Sequence, residues 1–381
     1  MGAKYLVHSI FRLAFSDAST SSTTLFTTSS LGHPGFFVSP YLSLHSTVRI
    51  YSIRRIEIKK ILFILPLLFW FGCEDEEEVN TEITVMSFNV WSGENSQAGR
   101  NKIVEIILSG EADIIGVQEM GNGEGESIAN SLGFHYHQQS GGDIQVISRF
   151  PIVRQSPFNL GVLIEINPGQ NVWLFNAHLA PYPYQPYDLR DGILGMEEST
   201  VIAAAEAARG SKVNNYLADM SAALNSGIPV FFTGDFNEPS HLDWTEAAAE
   251  ATERPFDLKV EYPASKKIVD AGMLDSFRAV RADEVNNQAY TWTPGRPPPN
   301  LNSNEVHDRI DLVYYKGDGV VSIASQTIGL SESNANTDIG VAGFNADHRA
   351  VVSRFEIVIP DGNSALTFSG LVHKIRAMIV R

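Results

Sequence analysis

The feature that most limits what this chain can fold into is a series of short, strongly apolar segments, each meeting a polar residue at its end. ITVMSFN (83–89) alternates and closes on Asn89, and ADIIGVQE (112–119) is a continuous apolar run closed by Glu119. NVWLFNAHL (171–179) carries His178, and IPVFFTGDF (228–236) carries Asp235 with Asn237 just beyond. Asp311 lies in RIDLVYY (309–315), and Asp347-His348 lead into AVVSRFEIVI (350–359). Segments of this length and composition are strands. Strand ends in a packed sheet share edges where loops build sites, and carboxylate, amide and imidazole groups recurring there exceed what a core requires.

Between these strands the pattern stays regular. Residues 100–109 carry Ile103, Ile106 and Ile107 at helical spacing before Gly110, a C-cap residue. A short helix (124–132) is followed by FHYHQQ, DIQVISR, IVRQSPF and GVLIEIN, spaced as antiparallel hairpins rather than repeated βαβ units. A long helical stretch (198–226) places Val213, Leu217, Met220 and Leu224 on one face. With no internal repeat and no strong linker, residues 83–359 form one α/β domain with two packed sheets.

The charge balance points away from polyanions. Of 28 Lys and Arg and 44 Asp and Glu, residues 1–73 hold seven basic and two acidic groups, leaving a net −21 from residue 74 onward. A field of that sign disfavours a nucleic-acid partner, which Lys and Arg normally capture by neutralising phosphates. Lys59-Lys60, the eleven apolar residues 61–71, and Gly72-Cys73 have the parts of a secretory signal. The run is too short to span a bilayer as a helix. Segment 59–73 resembles a bacterial lipoprotein signal, cut before Cys73 and lipidated on it, which implies an extracytoplasmic, membrane-anchored protein. A plain secretory signal or a buried apolar helix is the alternative. Residues 1–58, rich in Ser and Thr, are expected to be disordered or a mis-assigned start, 74–82 (EDEEEVNTE) an acidic tether, and 360–381 a tail.

MSFNVW, IIGVQE, ISRFPI, FNAHL, TGDFNEPS, RIDLVYY and ADHRAV occur in the order found in the endonuclease/exonuclease/phosphatase (DNase I-like) superfamily, which the chain resembles over about residues 83–358. The resemblance implies a four-layer α/β/β/α sandwich, two mixed or antiparallel sheets flanked by helices. It also implies a metal-dependent phosphoester hydrolase. Hydrolysis of a phosphoester needs a hard cation, an activated water and donors to the phosphate. Glu119, Asp347 and Asn89 offer oxygen ligands suited to Mg²⁺ or Mn²⁺. By resemblance, Glu119 is the principal ligand, with Asn89 supporting the metal and water. Asp235 orients or deprotonates water, Asn237 holds phosphate or nucleophile, Asp311 polarises His348, and His178 is the second histidine facing phosphate.

Plainer roles stand beside these: Asn89 and Asn237 also suit turns, and Asp311 also suits an ion pair with Arg309. APYPYQPYDLR (180–190) is the most individual segment. It reads either as a stiff aromatic loop whose Tyr182, Tyr184 and Tyr187, with Arg190, select substrate, or as a connector packed on the domain. Trp292 is a further candidate at the substrate side, and Trp244 at the pocket rim. A small or lipid-derived phosphoester is the favoured substrate. A secreted or anchored nuclease, a sphingomyelinase-like hydrolase and an inactive binding module are the alternatives.

Overall fold

The computed structural model describes residues 80–251, 257–292, 305–330, 336–344 and 346–358. The expectations for 1–58, for 59–73 with Cys73, for 74–79 and for 360–381 lie outside the described residues. Strand β1 (Asn80–Asn89) leads through helix α1 (Gln97–Ser109) to β2 (Ile114–Gln118), and α2 (Glu124–Leu132) leads to β3 (His135–Gln138) and β4 (Gln145–Ser148). Then come β5 (Ile152–Gln155), β6 (Gly161–Asn167) and β7 (Gln170–His178), followed by α3 (Gln185–Arg190), α4 (Glu198–Ala205) and α5 (Ser211–Leu224). The chain continues through β8 (Val230–Asp235), α6 (Glu246–Ala251), α7 (Pro263–Asp270), β9 (Leu274–Asp275) and α8 (Ser276–Val280). It ends in β10 (Asp311–Lys316), β11 (Val320–Gly329), β12 (Ile339–Gly340) and β13 (Ala350–Val358).

These strands form two mixed sheets. One has the order β12-β11-β13-β1-β2-β4-β3, the other β5-β6-β7-β8-β10-β9. Each has a parallel pair near its centre, β1 with β2 and β7 with β8, and the first has a second at its edge, β11 with β12. Apolar clusters give the layers. Ile103, Ile106 and Ile107 of α1 pack with Met86, Phe88, Ile115 and Val117 on the outer face of the first sheet. Each fully buried side chain of this kind contributes about 2 kcal/mol relative to exposure. Val213, Tyr216 and Met220 of α5 and Ile268 of α7 cover Trp173, Phe175 and Phe232 on the outside of the second. Ile83, Val85 and Ile114 meet Val172, Leu174, Phe231 and Val313 between the sheets. This is the four-layer sandwich expected of the sequence.

The period-2 alternation of strands then decides where the site lies. On β1 the inner face reads Ile83, Val85, Ser87, Asn89; on β7 it reads Val172, Leu174, Asn176, His178; on β8, Phe231, Thr233, Asp235. Antiparallel β10 gives the same gradient backwards, Tyr315, Val313, Asp311. Every central strand therefore passes from apolar to polar toward one end of the sandwich. A buried polar layer marks the boundary: Gln118 donates to Asn176 Oδ1 (2.6 Å), Thr233 donates to the same oxygen (3.0 Å), and Asn176 donates to the Val117 carbonyl (3.0 Å). Gly116 is required there, since a Cβ would lie 2.0 Å from Thr233 Oγ1.

Several elements differ from the sequence expectation. Strand β1 takes in Asn80–Glu82, pairing them with Val358–Glu356, so the tether stops short of them. Residues 185–190, read as part of a loop, form helix α3, with Pro186 in its first turn where a missing N–H is harmless. The long helix over 198–226 is interrupted by a π-helical turn at Glu206–Gly210. Among the described residues no helix is long and apolar enough to cross a membrane.

Candidate active site

Strand register sets three of the polar residues side by side. His178 of β7 is paired with Asp235 of β8, and Asp235 with Asp311 of β10, so they form one row across the second sheet. Asn89 and Glu119 reach the same place from the ends of β1 and β2. Asn89 Nδ2 donates to Glu119 Oε1 and to Asp235 Oδ2, each at 3.0 Å, which ties the two sheets together at the site. Asp235 is 1% exposed. Its carboxylate also accepts the Asn237 backbone N–H (2.8 Å) and side-chain amide (3.2 Å). Glu119 (φ 56) and Asn237 (φ 47) both adopt the left-handed conformation, which side-chain-bearing residues hold at a cost of about 1–3 kcal/mol each. That conformation turns the chain sharply at the end of its strand; Asn237 is thus a turn residue and a site residue together.

Each histidine is aimed by a carboxylate. His348 Nδ1 pairs with Asp311 Oδ2 at 2.8 Å, leaving Nε2 3.8 Å from Asp235 Oδ2. His178 Nδ1 pairs with Asp143 Oδ2 at 2.6 Å, leaving Nε2 3.8 Å from both Glu119 Oε1 and Asp235 Oδ2. Burial works to lower the His348 pKa, but the charges of Asp311 and Asp235 outweigh it and push it up to about 10. Burial likewise opposes protonation of His178, yet the Asp143 hydrogen bond and the charges of Asp235, Asp143 and Glu119 raise its pKa. The same carboxylates orient both rings with Nε2 toward the centre of the site.

Thr291 fixes the start of β10 by accepting the N–H groups of Ile310 and Asp311, each at 3.0 Å. Asp311 is not an ion-pair partner of Arg309. That guanidinium binds Asp243 (2.9 Å) and Asp275 (2.7 Å) instead, leaving Asp311 to His348.

Among the described residues, the acid and histidine clusters tight enough for a cation are Glu119–His178–Asp235 and Asp235–Asp311–His348. The first offers two converging carboxylate oxygens, from Glu119 and Asp235, with the buried Nε2 of His178 3.8 Å from each. Two carboxylates without a thiolate are a hard donor set, so these residues fit a divalent cation of the Mg²⁺ or Mn²⁺ kind. Asp347 belongs to neither cluster, although it lines the same pocket as Glu119.

That pocket, about 240 Å³, opens beside the row and is walled by Trp91, Tyr182, Tyr184, Tyr187 and Trp292, with Asn237 and His348 on its lining. Of the three tyrosines only Tyr182 is fully exposed, at 70%. Tyr184 is buried, its hydroxyl donating to Asp308 Oδ2 (2.7 Å). Tyr187 accepts from Trp292 Nε1 (2.8 Å) and lies 4.9 Å from Tyr184, ring to ring. The tyrosine segment is thus a wall with one free edge rather than an open loop. Arg190 stacks on Tyr187 at 4.2 Å and pairs with Asp191, so it is outside the pocket lining. Trp244, expected at the rim, is core: it is fully buried and donates to Asp308 Oδ1.

Sequence reasoning missed Trp91 and Asp143. Trp91 lies two residues beyond Asn89, with φ 48, and is half exposed in the pocket. Asp143 follows two glycines just before β4 of the first sheet and meets His178 of β7 across the two sheets, so no spacing in the chain reveals it.

A family model for the Endonuclease/Exonuclease/phosphatase family matches residues 86–334. The uncharacterized protein F14F9.5 of Caenorhabditis elegans is 26% identical over 276 residues, covering 68% of this chain and 86% of its own. Among solved structures, truncated TDP2 from Caenorhabditis elegans aligns over 72% of this chain and 97% of that one, at 19% identity and a TM-score of 0.44. An AP endonuclease from Archaeoglobus fulgidus aligns over 71% of this chain and 98% of that one, at 12% identity and a TM-score of 0.44.

Proposed function

The chain belongs to the endonuclease/exonuclease/phosphatase family of phosphoester hydrolases, and from that premise we propose that it hydrolyses a small or lipid-derived phosphoester with a divalent cation, Mg²⁺ or Mn²⁺. The observation that carries this is the environment of Asp235. One buried carboxylate receives amide donors from Asn89 and Asn237 and faces the Nε2 atoms of two histidines. Asp235 is the group that orients the attacking water and accepts its proton, as general bases do within hydrogen-bond reach. Asn237, whose amide N–H groups are committed to Leu179 and Asp235, fixes that carboxylate and presents its amide oxygen to the water. His348, oriented by Asp311, and His178, oriented by Asp143, donate to the phosphoryl oxygens as charge develops there. Glu119, with Asn89 beside it, would hold the cation, which when bound neutralises phosphoryl charge and acidifies water; Asp347 lines the same pocket.

The described pocket lining includes no Lys or Arg, and this supports a compact ester over a polyanion. The mature enzyme is assigned to a membrane surface outside the cytoplasm on the basis of segment 59–73; loss of detergent-phase partition in Cys73→Ser is the expected result.

The test is Mg²⁺- and Mn²⁺-dependent hydrolysis of bis-p-nitrophenyl phosphate, p-nitrophenyl phosphate, single- and double-stranded DNA and sphingomyelin, beside Asp235→Ala and His348→Ala. Cation-dependent activity that falls by about 10²–10⁴ in both variants is expected. Preference for DNA with a steep salt dependence would replace the small-ester assignment by a nuclease. Failure to bind the cation would make the protein a binding module.

A further inference from the structure

Arg209 is fully buried yet lies outside the chemistry described above. Its guanidinium reaches the tyrosine wall from behind. Nε donates to the Ala180 carbonyl (2.9 Å), Nη2 to the carbonyls of Pro183 (2.9 Å) and Pro181 (3.4 Å), and Nη1 to Gln185 Oε1 (2.7 Å). The same Nη1 lies 3.8 Å from Glu238 Oε2, and Glu238 follows Asn237 directly. Glu238 is itself anchored by accepting the Ala264 N–H (2.7 Å). One cation thus fastens the backbone of 180–185 to the motif that carries Asp235 and Asn237.

The helix is built to put it there. Buried positions run Val201, Ala205, Arg209, Val213, in steps of four. At 3.6 residues per turn a four-residue step drifts about 40° around the helix. The π-helical turn at Glu206–Gly210 widens the helix where the drift accumulates and keeps Arg209 facing inward.

We propose that Arg209 is a positioning residue for substrate affinity: it holds Tyr182 and Tyr184 at the pocket wall, so that the organic part of the phosphoester, and not its phosphoryl group, loses contact when Arg209 is removed. This rests on the phosphoester function proposed above. Proline carbonyls accept but a proline nitrogen cannot donate, so a segment with three prolines among 181–186 has few backbone bonds of its own. A buried guanidinium with five donors supplies the missing restraint.

The experiment compares phenyl phosphate, by its KM for hydrolysis, with inorganic phosphate, by titration calorimetry, on the full chain with Mg²⁺ present. The variants are Arg209→Met, Arg209→Met with Glu238→Gln, and Gln185→Leu, with thermal unfolding followed in parallel. The double variant removes both buried charges, so it keeps the test available if Arg209→Met alone does not fold. The KM for phenyl phosphate is expected to rise about five- to ten-fold in the Arg209 variants, with inorganic phosphate binding unchanged. Tyr182→Ala added to them should have no further effect, as expected for coupled residues. Equal weakening of both ligands, or no weakening of either, overturns the proposal. A wild type that neither hydrolyses phenyl phosphate nor binds inorganic phosphate overturns the function and this role together, whereas a wild type that prefers phenyl phosphate and a variant that prefers it equally overturn only the role of Arg209.

Discussion

Asp143 is a half-exposed residue whose whole bearing on the site passes through His178. Burial would raise its pKa, but the hydrogen bond and charge of His178 outweigh that and lower it, so the carboxylate is ionised and holds the ring. Asp143→Asn keeps the shape and removes the charge. Its kcat is expected to drop about ten- to a hundred-fold with little change in thermal stability, as for partners that orient a working side chain. Glu238 is the opposite case. Burial pushes its carboxyl up from the ordinary 4.5 to about 7, against the pull of Arg209 and the Ala264 N–H. Between those values the folded state binds more protons than the unfolded one, so stability falls as pH rises through that window. The full cost is on the order of 3 kcal/mol above about pH 7. Glu238→Gln should remove this slope: wild type and variant unfold alike near pH 4.5, and the variant is the more stable at pH 8. Parallel curves across that range would show that Glu238 is charged throughout.

At the scale of elements, the end of the second sheet depends on a buried ion network. Arg309 binds Asp243 and Asp275, and Arg278 binds Asp243 at 2.6 Å, which joins the segment before β10 to β9 and α8. Arg309→Met leaves two buried carboxylates short of a cation and is expected to cost about 3–5 kcal/mol in urea unfolding. Removing Asp243 or Asp275 alone should be comparably severe. Helix and strand positions were largely legible in the chain because alternation and 3.6-residue spacing are local properties. Ser96 explains the one clear boundary shift in α1: its hydroxyl caps Gly99 N–H at 3.0 Å, starting the helix at Gln97 rather than Arg100. Helix α3 was missed because three prolines nearby read as a loop, whereas Pro186 sits where a helix tolerates it.

For the whole molecule, the net −21 beyond residue 74 and a pocket lining whose described residues include no Lys or Arg act in the same direction. Activity on a small diester should therefore change by less than about two-fold between 50 and 200 mM salt, where a protein making many phosphate contacts loses orders of magnitude. Chelation should abolish turnover and Mg²⁺ or Mn²⁺ restore it. A salt slope as steep as that of a nucleic-acid binder would contradict the small-ester assignment.

By itself the sequence determined two packed sheets and most of the residues at their polar end, because apolar segments closed by polar residues are local features. The four-layer arrangement was legible through the family resemblance. Asn89, Glu119, His178, Asp235 and Asp311 are legible one strand at a time. Only the tertiary structure decided how they pair. Asp143 reaches His178 across thirty-five positions, Arg309 turns to Asp243 and Asp275 rather than to its near neighbour Asp311, and Arg209 grips a segment that precedes it by some twenty-five residues. Hydrogen bonds and ion pairs of this kind act over a few ångströms, a distance that chain separation does not encode. The sheet register that creates those distances is a property of the packed whole.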